Sequence, residues 1–232
     1  MRRVAVYAGT RNIYRHMVAA VKSLLFHTRM DRVVFLIEDD AFPEPLPDVI
    51  ECVNVRGQTF FPESGPNYAS RWTYMSLMRL ALPELLPDES RVLWLDVDTI
   101  VMQDIGELFE ETLDSGRVLG AVREPEWSRP GRVYFNAGVL LMDLAALRGD
   151  LCEQLIRRVN SVKMDFPDQD AINAVCAGRI RALSAIWNSS EWTQKPMDAR
   201  ITHFAADREY TRQPLYKCYE RKNWRDCHAS EN

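Results

Sequence analysis

A chain of 232 residues, 47% hydrophobic and 27% charged, has the composition of a soluble globular protein and is long enough to build one sizeable core. Its formal net charge of −4, with no Lys/Arg block, argues against direct nucleic-acid binding, which needs a dominant basic face. Five cysteines (Cys52, Cys152, Cys176, Cys218, Cys227) form no C-x-x-C pair and are odd in number, which argues against a disulfide framework or zinc ribbon and favours a reducing, cytoplasmic setting. The apolar stretch after Met1-Arg2-Arg3 is too short for a signal segment, and no run approaches the ~18–20 apolar residues of a membrane span.

In chain order, strand-like and helix-like patterns alternate, which predicts an α/β architecture with a mostly parallel sheet flanked by helices. Residues 4–7 read as a strand, and 12–26 as an amphipathic helix with Met17, Val21, Leu24 and Leu25 on its apolar face. A second strand, 33–37, ends in Glu38-Asp39-Asp40. After a Pro-rich connector a third strand follows at 50–55. The spacing predicts a loop over 58–67, a helix over 72–82 broken at Pro83, and a buried strand over 91–95. Beyond it come a short helix at 105–110, a strand at 117–122 and an exposed Pro/Gly loop at 124–132. The remainder reads as a strand at 134–143, helices at 144–162 and 168–177, and a last strand at 179–187. No internal repeat or low-complexity linker divides the chain, so the expected organisation is one domain over 1–206 and a tail over 207–232.

Leu95-Asp96-Val97-Asp98 sets two carboxylates at the exit of the buried strand 91–95. Like charges there repel and lose hydration, and a divalent cation such as Mn²⁺ or Mg²⁺ makes the pair favourable, because both ions take carboxylate oxygens. Positions i and i+2 of an extended segment share a face, so both carboxylates can reach one ion. The plain alternative is that Asp98 caps the following turn while Asp96 faces solvent. In open α/β sheets ligands bind at the carboxyl ends of strands. Thr10-Arg11-Asn12, Glu38-Asp39 and the Asp96/Asp98 pair all fall at such ends.

The segment RVLWLDVDTIVMQDIGELF over 91–109 resembles the core of the glycogenin-like and galactosyltransferase-like retaining glycosyltransferases (family 8, GT-A fold). Further elements in order carry the same resemblance: Ala8-Gly9-Thr10 with Tyr14 and Ser23-Leu24; Tyr74 with Arg79; Tyr134-Phe135-Asn136-Ala137-Gly138; Asp168-Gln169-Asp170-Ala171-Ile172-Asn173; Trp187-Asn188; and His203-Phe204. The resemblance implies a Rossmann-like nucleotide-sugar-binding domain and a metal-dependent transfer of hexose, with retained configuration, to a hydroxyl acceptor. The expected donor is a nucleoside diphosphate sugar, UDP-glucose or UDP-galactose. It also implies Asp96, Asp98 and His203 as metal ligands, and Asp168, Gln169 and Asn136 as the residues of the anomeric chemistry. For the nucleotide it implies Ala8, Thr10, Tyr14, Asp39, Arg79 and Val97, with Tyr14 stacking on a pyrimidine, Asp39 accepting from it and Arg79 near the diphosphate. Pro167-Asp168 is equally a helix N-terminus with favourable acidic residues.

One departure stands out. After the histidine-aromatic pair the family carries a glycine and a Lys-Pro-Trp element that contacts the diphosphate, whereas this chain reads His203-Phe204-Ala205-Ala206-Asp207-Arg208. Arg208, Arg212 and Lys217 are the candidate substitutes, and the gap keeps open a nucleotide-sugar-binding module without turnover. LDVDT also resembles the nucleophile strand of haloacid dehalogenase-like phosphohydrolases, with Asp96 as nucleophile. The tail over 216–225 interleaves basic and aromatic residues, compatible with peripheral membrane contact or a packed terminus. Asn188-Ser189-Ser190 is formally a sequon and reads as chance. The Trp127 loop and the 187–192 region are candidates for an acceptor groove.

Overall fold

A computed structural model describes residues 2–70, 72–113, 116–128, 130, 133–205 and 207–227. The elements in order are β1 (Val4–Ala8), α1 (Tyr14–His27), β2 (Arg32–Ile37), β3 (Ile50–Asn54), α2 (Leu82–Leu85), β4 (Arg91–Leu95), β5 (Thr99–Val101) and α3 (Gly106–Glu110). They continue with β6 (Leu119–Val122), β7 (Val139–Asp143), α4 (Leu144–Leu147), α5 (Asp150–Ser161), α6 (Pro167–Val175), β8 (Ile180–Leu183), β9 (Ile201–His203) and α7 (Pro214–Glu220). Seven strands form one sheet in the order β3-β2-β1-β4-β7-β6-β8, in which β7 runs antiparallel to both its neighbours and the other pairings are parallel.

The apolar runs are continuous because the central sheet is covered on both faces. Val4, Val6, Val34, Leu36, Val92, Trp94, Leu140 and Met142 point to one side, under the 3-10 helix Tyr74–Ala81 and helices α4 to α6. Ala5, Tyr7, Val33, Phe35, Leu93, Leu95 and Val139 point to the other, under α1 and α3. The chain reverses at the order switch between β1 and β4, so the carboxyl ends of β1, β2 and β4 open on one crevice.

Several elements differ from the sequence pattern, each for a local reason. Pro83 does not break a helix. It sits in the first turn of α2, where a missing N–H costs nothing, after residues 74–81 have wound as 3-10. The helix expected over 144–162 is two helices, α4 and α5, parted at Gly149, whose φ of 80° suits a residue without Cβ. Residues 134–138 leave the sheet apart from an isolated bridge between Arg123 and Phe135. The strand at 179–187 ends at Leu183 and turns into a 3-10 helix, Ala185–Trp187. It is also not the last, because β9 follows and pairs antiparallel with β5 in a small second sheet. Of the loop expected over 124–132, Arg129, Gly131 and Arg132 lie outside the described residues.

The segment after Asp207 packs against α1. Tyr216 and Tyr219 are buried at 0% and 6% exposure, the Tyr219 hydroxyl is 2.7 Å from His27 Nε2, and the Lys222 ammonium lies 3.9 Å over the Phe26 ring. The basic-aromatic pattern that suggested membrane contact is thus met by packing within the chain. Among the described residues no two cysteines form a disulfide, and no helix is long and apolar enough to cross a membrane.

Candidate active site

The two carboxylates leave β4 in a turn, not in an extended pleat. Thr99 closes it by donating from its N and Oγ1 to Asp96 O at 3.1 and 2.7 Å, and Asp96 N donates to Gly138 O at 2.8 Å. The turn feeds β5, and β5 pairs with β9 so that Thr99 stands opposite His203. This pairing brings together residues more than a hundred positions apart in sequence: His203 Nε2 lies 3.3 Å from Asp98 Oδ1 and 4.0 Å from Asp96 Oδ2. One ligand atom from each of the three residues falls within 4.8 Å of the others. The carboxylate side chains keep 26% of their surface open, so the cluster sits at the mouth of the crevice. Behind it Gly138 touches the imidazole so closely that a Cβ there would fall 2.1 Å from His203 Cε1.

Buried hydrogen bonds set the imidazole's tautomer. The Gly138 N–H donates to Asn136 Oδ1 at 2.8 Å, so the Asn188 group facing that same oxygen at 2.8 Å is its NH₂. Asn188 Oδ1 then faces His203 Nδ1 at 3.0 Å, and Nδ1 carries the proton. Nε2 is left pointing at the carboxylates, the arrangement of a metal-ligating histidine with its second nitrogen tied back. Burial pulls the His203 pKa down, but the charge and hydrogen bond of Asp98, with Asp96 behind it, outweigh burial and raise it. Burial likewise acts to raise Asp98, yet His203 holds it below the usual range. Both shifts favour positive charge among these three groups, and two carboxylate oxygens with one imidazole nitrogen are a donor set that fits a divalent cation. Asn188→Leu removes the acceptor that orients His203, and a 10- to 100-fold loss of Mn²⁺ affinity is expected, on the order of other outer-partner losses; isothermal titration checks it. Asn188 is fully buried, which removes it as a glycosylation acceptor in the folded chain.

Arg79 was expected near the diphosphate, but the structure sets it beneath the carboxylates. It is 3% exposed and every nitrogen is engaged: NH2 to Asp96 Oδ1 at 2.7 Å, Nε to Asp168 Oδ2 at 3.0 Å and Ser76 O at 2.9 Å, and NH1 to Ala137 O. Its guanidinium also stacks 4.5 Å over Trp94, whose Nε1 donates to Asp96 Oδ1 at 2.8 Å. Burial, with Asp98 adding to it, raises the Asp96 pKa against the opposing charge of Arg79.

Asp168, Gln169 and Asn136 lie on the same crevice. Both Asn136 Nδ2 and Gln169 Nε2 donate to Glu124 Oε1, at 2.6 and 3.2 Å, while Gln169 Oε1 accepts from Ala137 N at 2.8 Å. The hub of this network, Glu124, is 3% exposed, and burial raises its pKa against those two hydrogen bonds. Glu124 and Trp94 have no sequence signal of this role, a lone Glu in a Pro-rich loop matching no spacing rule, whereas Asn188 stood in the Trp187-Asn188 element of the resemblance without a role as the histidine's anchor.

The residues expected on the nucleotide are placed less uniformly. Ala8 and Thr10 flank the turn leaving β1, with the Thr10 hydroxyl donating to Asn12 Oδ1, and Val97 occupies the turn between the carboxylates. Tyr14 is not presented as a stacking platform. It is 3% exposed and its ring stacks on Phe42 at 4.8 Å, with its hydroxyl accepting from Glu38 N at 3.1 Å. Asp39 shares Oδ1 between Arg56 at 3.3 Å and Arg11 at 3.7 Å, and Oδ2 is buried without a hydrogen-bond partner. Of the substitute cations, Arg212 is paired with Glu209 and Lys217 with Glu220, while Arg208 is exposed. Trp187 is buried, whereas Trp127 is 44% exposed and packs on Phe166, two residues before Asp168.

The profile of a family described as Glycosyl transferase family 8 matches residues 4–206. General stress protein A of Bacillus subtilis (strain 168) is 27% identical over 139 residues, 53% of this chain and 48% of its own length. Xylosyl- and glucuronyltransferase LARGE2 of Homo sapiens is 30% identical over 220 residues, 80% of this chain and 30% of its own. The chain thus spans half or less of these curated relatives. Among solved structures, a galactosyltransferase LgtC in complex with donor and acceptor sugar analogs superposes with a TM-score of 0.76 at 21% identity, covering 94% of this chain and 95% of that one, a match in GT-A fold.

Proposed function

This chain belongs to glycosyltransferase family 8, and from that premise we propose that it moves a hexose from UDP-glucose or UDP-galactose to a hydroxyl acceptor, with retained configuration and with Mn²⁺ or Mg²⁺ bound. Membership removes the phosphohydrolase reading of Asp96. The observation that carries the proposal is the convergence of Asp96, Asp98 and His203 within 4.8 Å at the mouth of the crevice that also holds Asp168 and Gln169. On this reading residues 1–206 make up the transferase domain.

Asp96, Asp98 and His203 would hold the cation, which supplies charge compensation for a departing diphosphate. The chain's own residues do the rest. Asp39 accepts from the pyrimidine N–H, while Ala8, Thr10 and Val97 line the nucleotide. Arg79 pairs with both the Asp96 and Asp168 carboxylates and fixes them against one another. Gln169 and Asn136, locked through Glu124, hold the polar groups they leave uncommitted in one orientation toward the sugar. Such a fixed polar wall needs no reorganisation as charge develops at the anomeric carbon.

The test is a panel of UDP-, GDP- and dTDP-sugars with Mn²⁺, following nucleotide release by the wild type and Asp98→Asn. Release from UDP-glucose or UDP-galactose that requires metal and falls at least about 100-fold in the variant is expected, since loss of a ligand exceeds loss of an outer partner. Nucleotide binding without release, even with a panel of sugar acceptors added, would instead favour the module without turnover. No metal-dependent binding of any donor overturns the reading.

A further inference from the structure

Tyr210 is tied to the cation site through Phe204 and to α1 through His16. Phe204 follows His203 directly, bonds Asp98 O through its N at 2.9 Å, and stacks on the Tyr210 ring with centroids 5.8 Å apart and planes at 21°. Across the ring, the Tyr210 hydroxyl lies 2.7 Å from His16 Nδ1, and Tyr216 packs edge-on at 5.4 Å. The other nitrogen of His16, Nε2, accepts from Arg15 Nε at 3.3 Å. A guanidinium has only donors, so Nε2 is the unprotonated nitrogen and Nδ1–H donates to the tyrosine oxygen. Burial and the adjacent Arg15 keep the His16 pKa low, consistent with this neutral tautomer.

The consequence falls on the tyrosine's own proton. With its oxygen already accepting, the hydroxyl hydrogen has no acceptor among the described residues, on a side chain that senses the charges of Asp98 and Asp96. Burial and then Asp98 push the phenol well above its ordinary range, so it remains a donor at every working pH. The nearby cations Arg212 and Lys217 are committed to Glu209 and Glu220, and Arg79 to Asp96 and Asp168.

We propose that Tyr210, oriented by His16 and Arg15, is a donor-binding residue that gives its hydroxyl proton to a diphosphate oxygen of a ligand seated at the Asp96, Asp98 and His203 site. The assignment rests on the nucleotide-sugar reading. It also supplies a neutral hydrogen-bond donor where Lys217 is committed to Glu220.

The experiment is calorimetric titration of UDP into the full chain at saturating Mn²⁺, alongside titration of Mn²⁺ alone, for the wild type, Tyr210→Phe and His16→Ala. Tyr210→Phe keeps both ring contacts and removes one atom. The expected result is about tenfold weaker UDP binding, the size of one hydrogen bond to a charged group, with Mn²⁺ affinity and melting temperature unchanged. His16→Ala leaves the hydroxyl present but unheld, and about threefold weakening is expected. UDP binding by Tyr210→Phe equal to wild type overturns the assignment, as does an equal weakening of Mn²⁺ and UDP, which marks a role only in supporting β9. If wild type itself fails to bind UDP with Mn²⁺, the nucleotide-sugar reading fails first and this assignment with it. A normal wild type with an unaffected Tyr210→Phe removes this assignment alone.

Discussion

Gly138→Ala is expected to remove cation binding, and with it activity, by about 100-fold or more, while leaving a folded chain. The added Cβ would stand 2.1, 2.7 and 2.8 Å from three atoms of the His203 ring. That ring has nowhere easy to go. It is 5% exposed, its Nδ1 is held by Asn188 at 3.0 Å, and its backbone is paired with Thr99 across β5 and β9. Overpacking of this kind costs about 1–3 kcal/mol, and the cheapest relief swings the imidazole away from Asp98, which removes the nitrogen from the cluster. A loss beyond the 10- to 100-fold typical of outer partners is expected because a ligand itself is displaced. The measurement is Mn²⁺ titration with a thermal melt, repeated on the double variant Gly138→Ala, His203→Ala. Truncating the ring makes room for the Cβ, so the double variant is expected to melt higher than Gly138→Ala, a coupling of the kind in-contact pairs display. Wild-type Mn²⁺ affinity in Gly138→Ala would refute the packing of His203 on the start of β7.

Arg79→Met has the largest expected effect on stability. The methionine fills space beside Trp94 but leaves Asp96 and Asp168 as two carboxylates without the cation that bonds both, at 2.7 and 3.0 Å. Removing one partner of a buried ionic network costs about 3–5 kcal/mol, because the remaining charge is stranded. For a chain of this size that is a fall of about 6–20 °C in melting temperature. Arg79→Lys is not expected to rescue it. One ammonium at the end of a flexible stem cannot reach Asp96, Asp168 and Ala137 O at once, and it loses the flat contact with Trp94. Asp168→Asn in the Arg79→Met background is expected to recover part of the loss by deleting one of the stranded charges. A melt of Arg79→Met within a degree or two of wild type would show that water, not Arg79, carries the charge of the pair.

The architecture was legible because it rests on local patterns that a single sequence displays. Strands β1, β2 and β4 are continuous apolar runs since both sheet faces are covered, and α1 repeats Met17, Val21 and Leu24 at helical spacing because one side of it is buried. Asp96 and Asp98 could be singled out for a related reason: two charges at the exit of a buried strand are costly wherever they occur, so their presence is informative before any contact is known. What joins His203 to them was not legible as pairing. Strands β5 and β9 are three residues each, too short to show a period, and their register depends on contact between segments about a hundred residues apart in sequence. The commitment of Arg79 to carboxylates, the packing of Tyr14 on Phe42, and the roles of Glu124, Asn188 and Gly138 belong to the same class. The sequence by itself determined the longer strands and helices of the sheet and where charge is concentrated, since propensity and burial act over a few neighbours. Only the tertiary structure decided which polar groups meet, because a hydrogen bond or a Cβ contact is settled within tenths of an ångström by strands and loops distant in the chain.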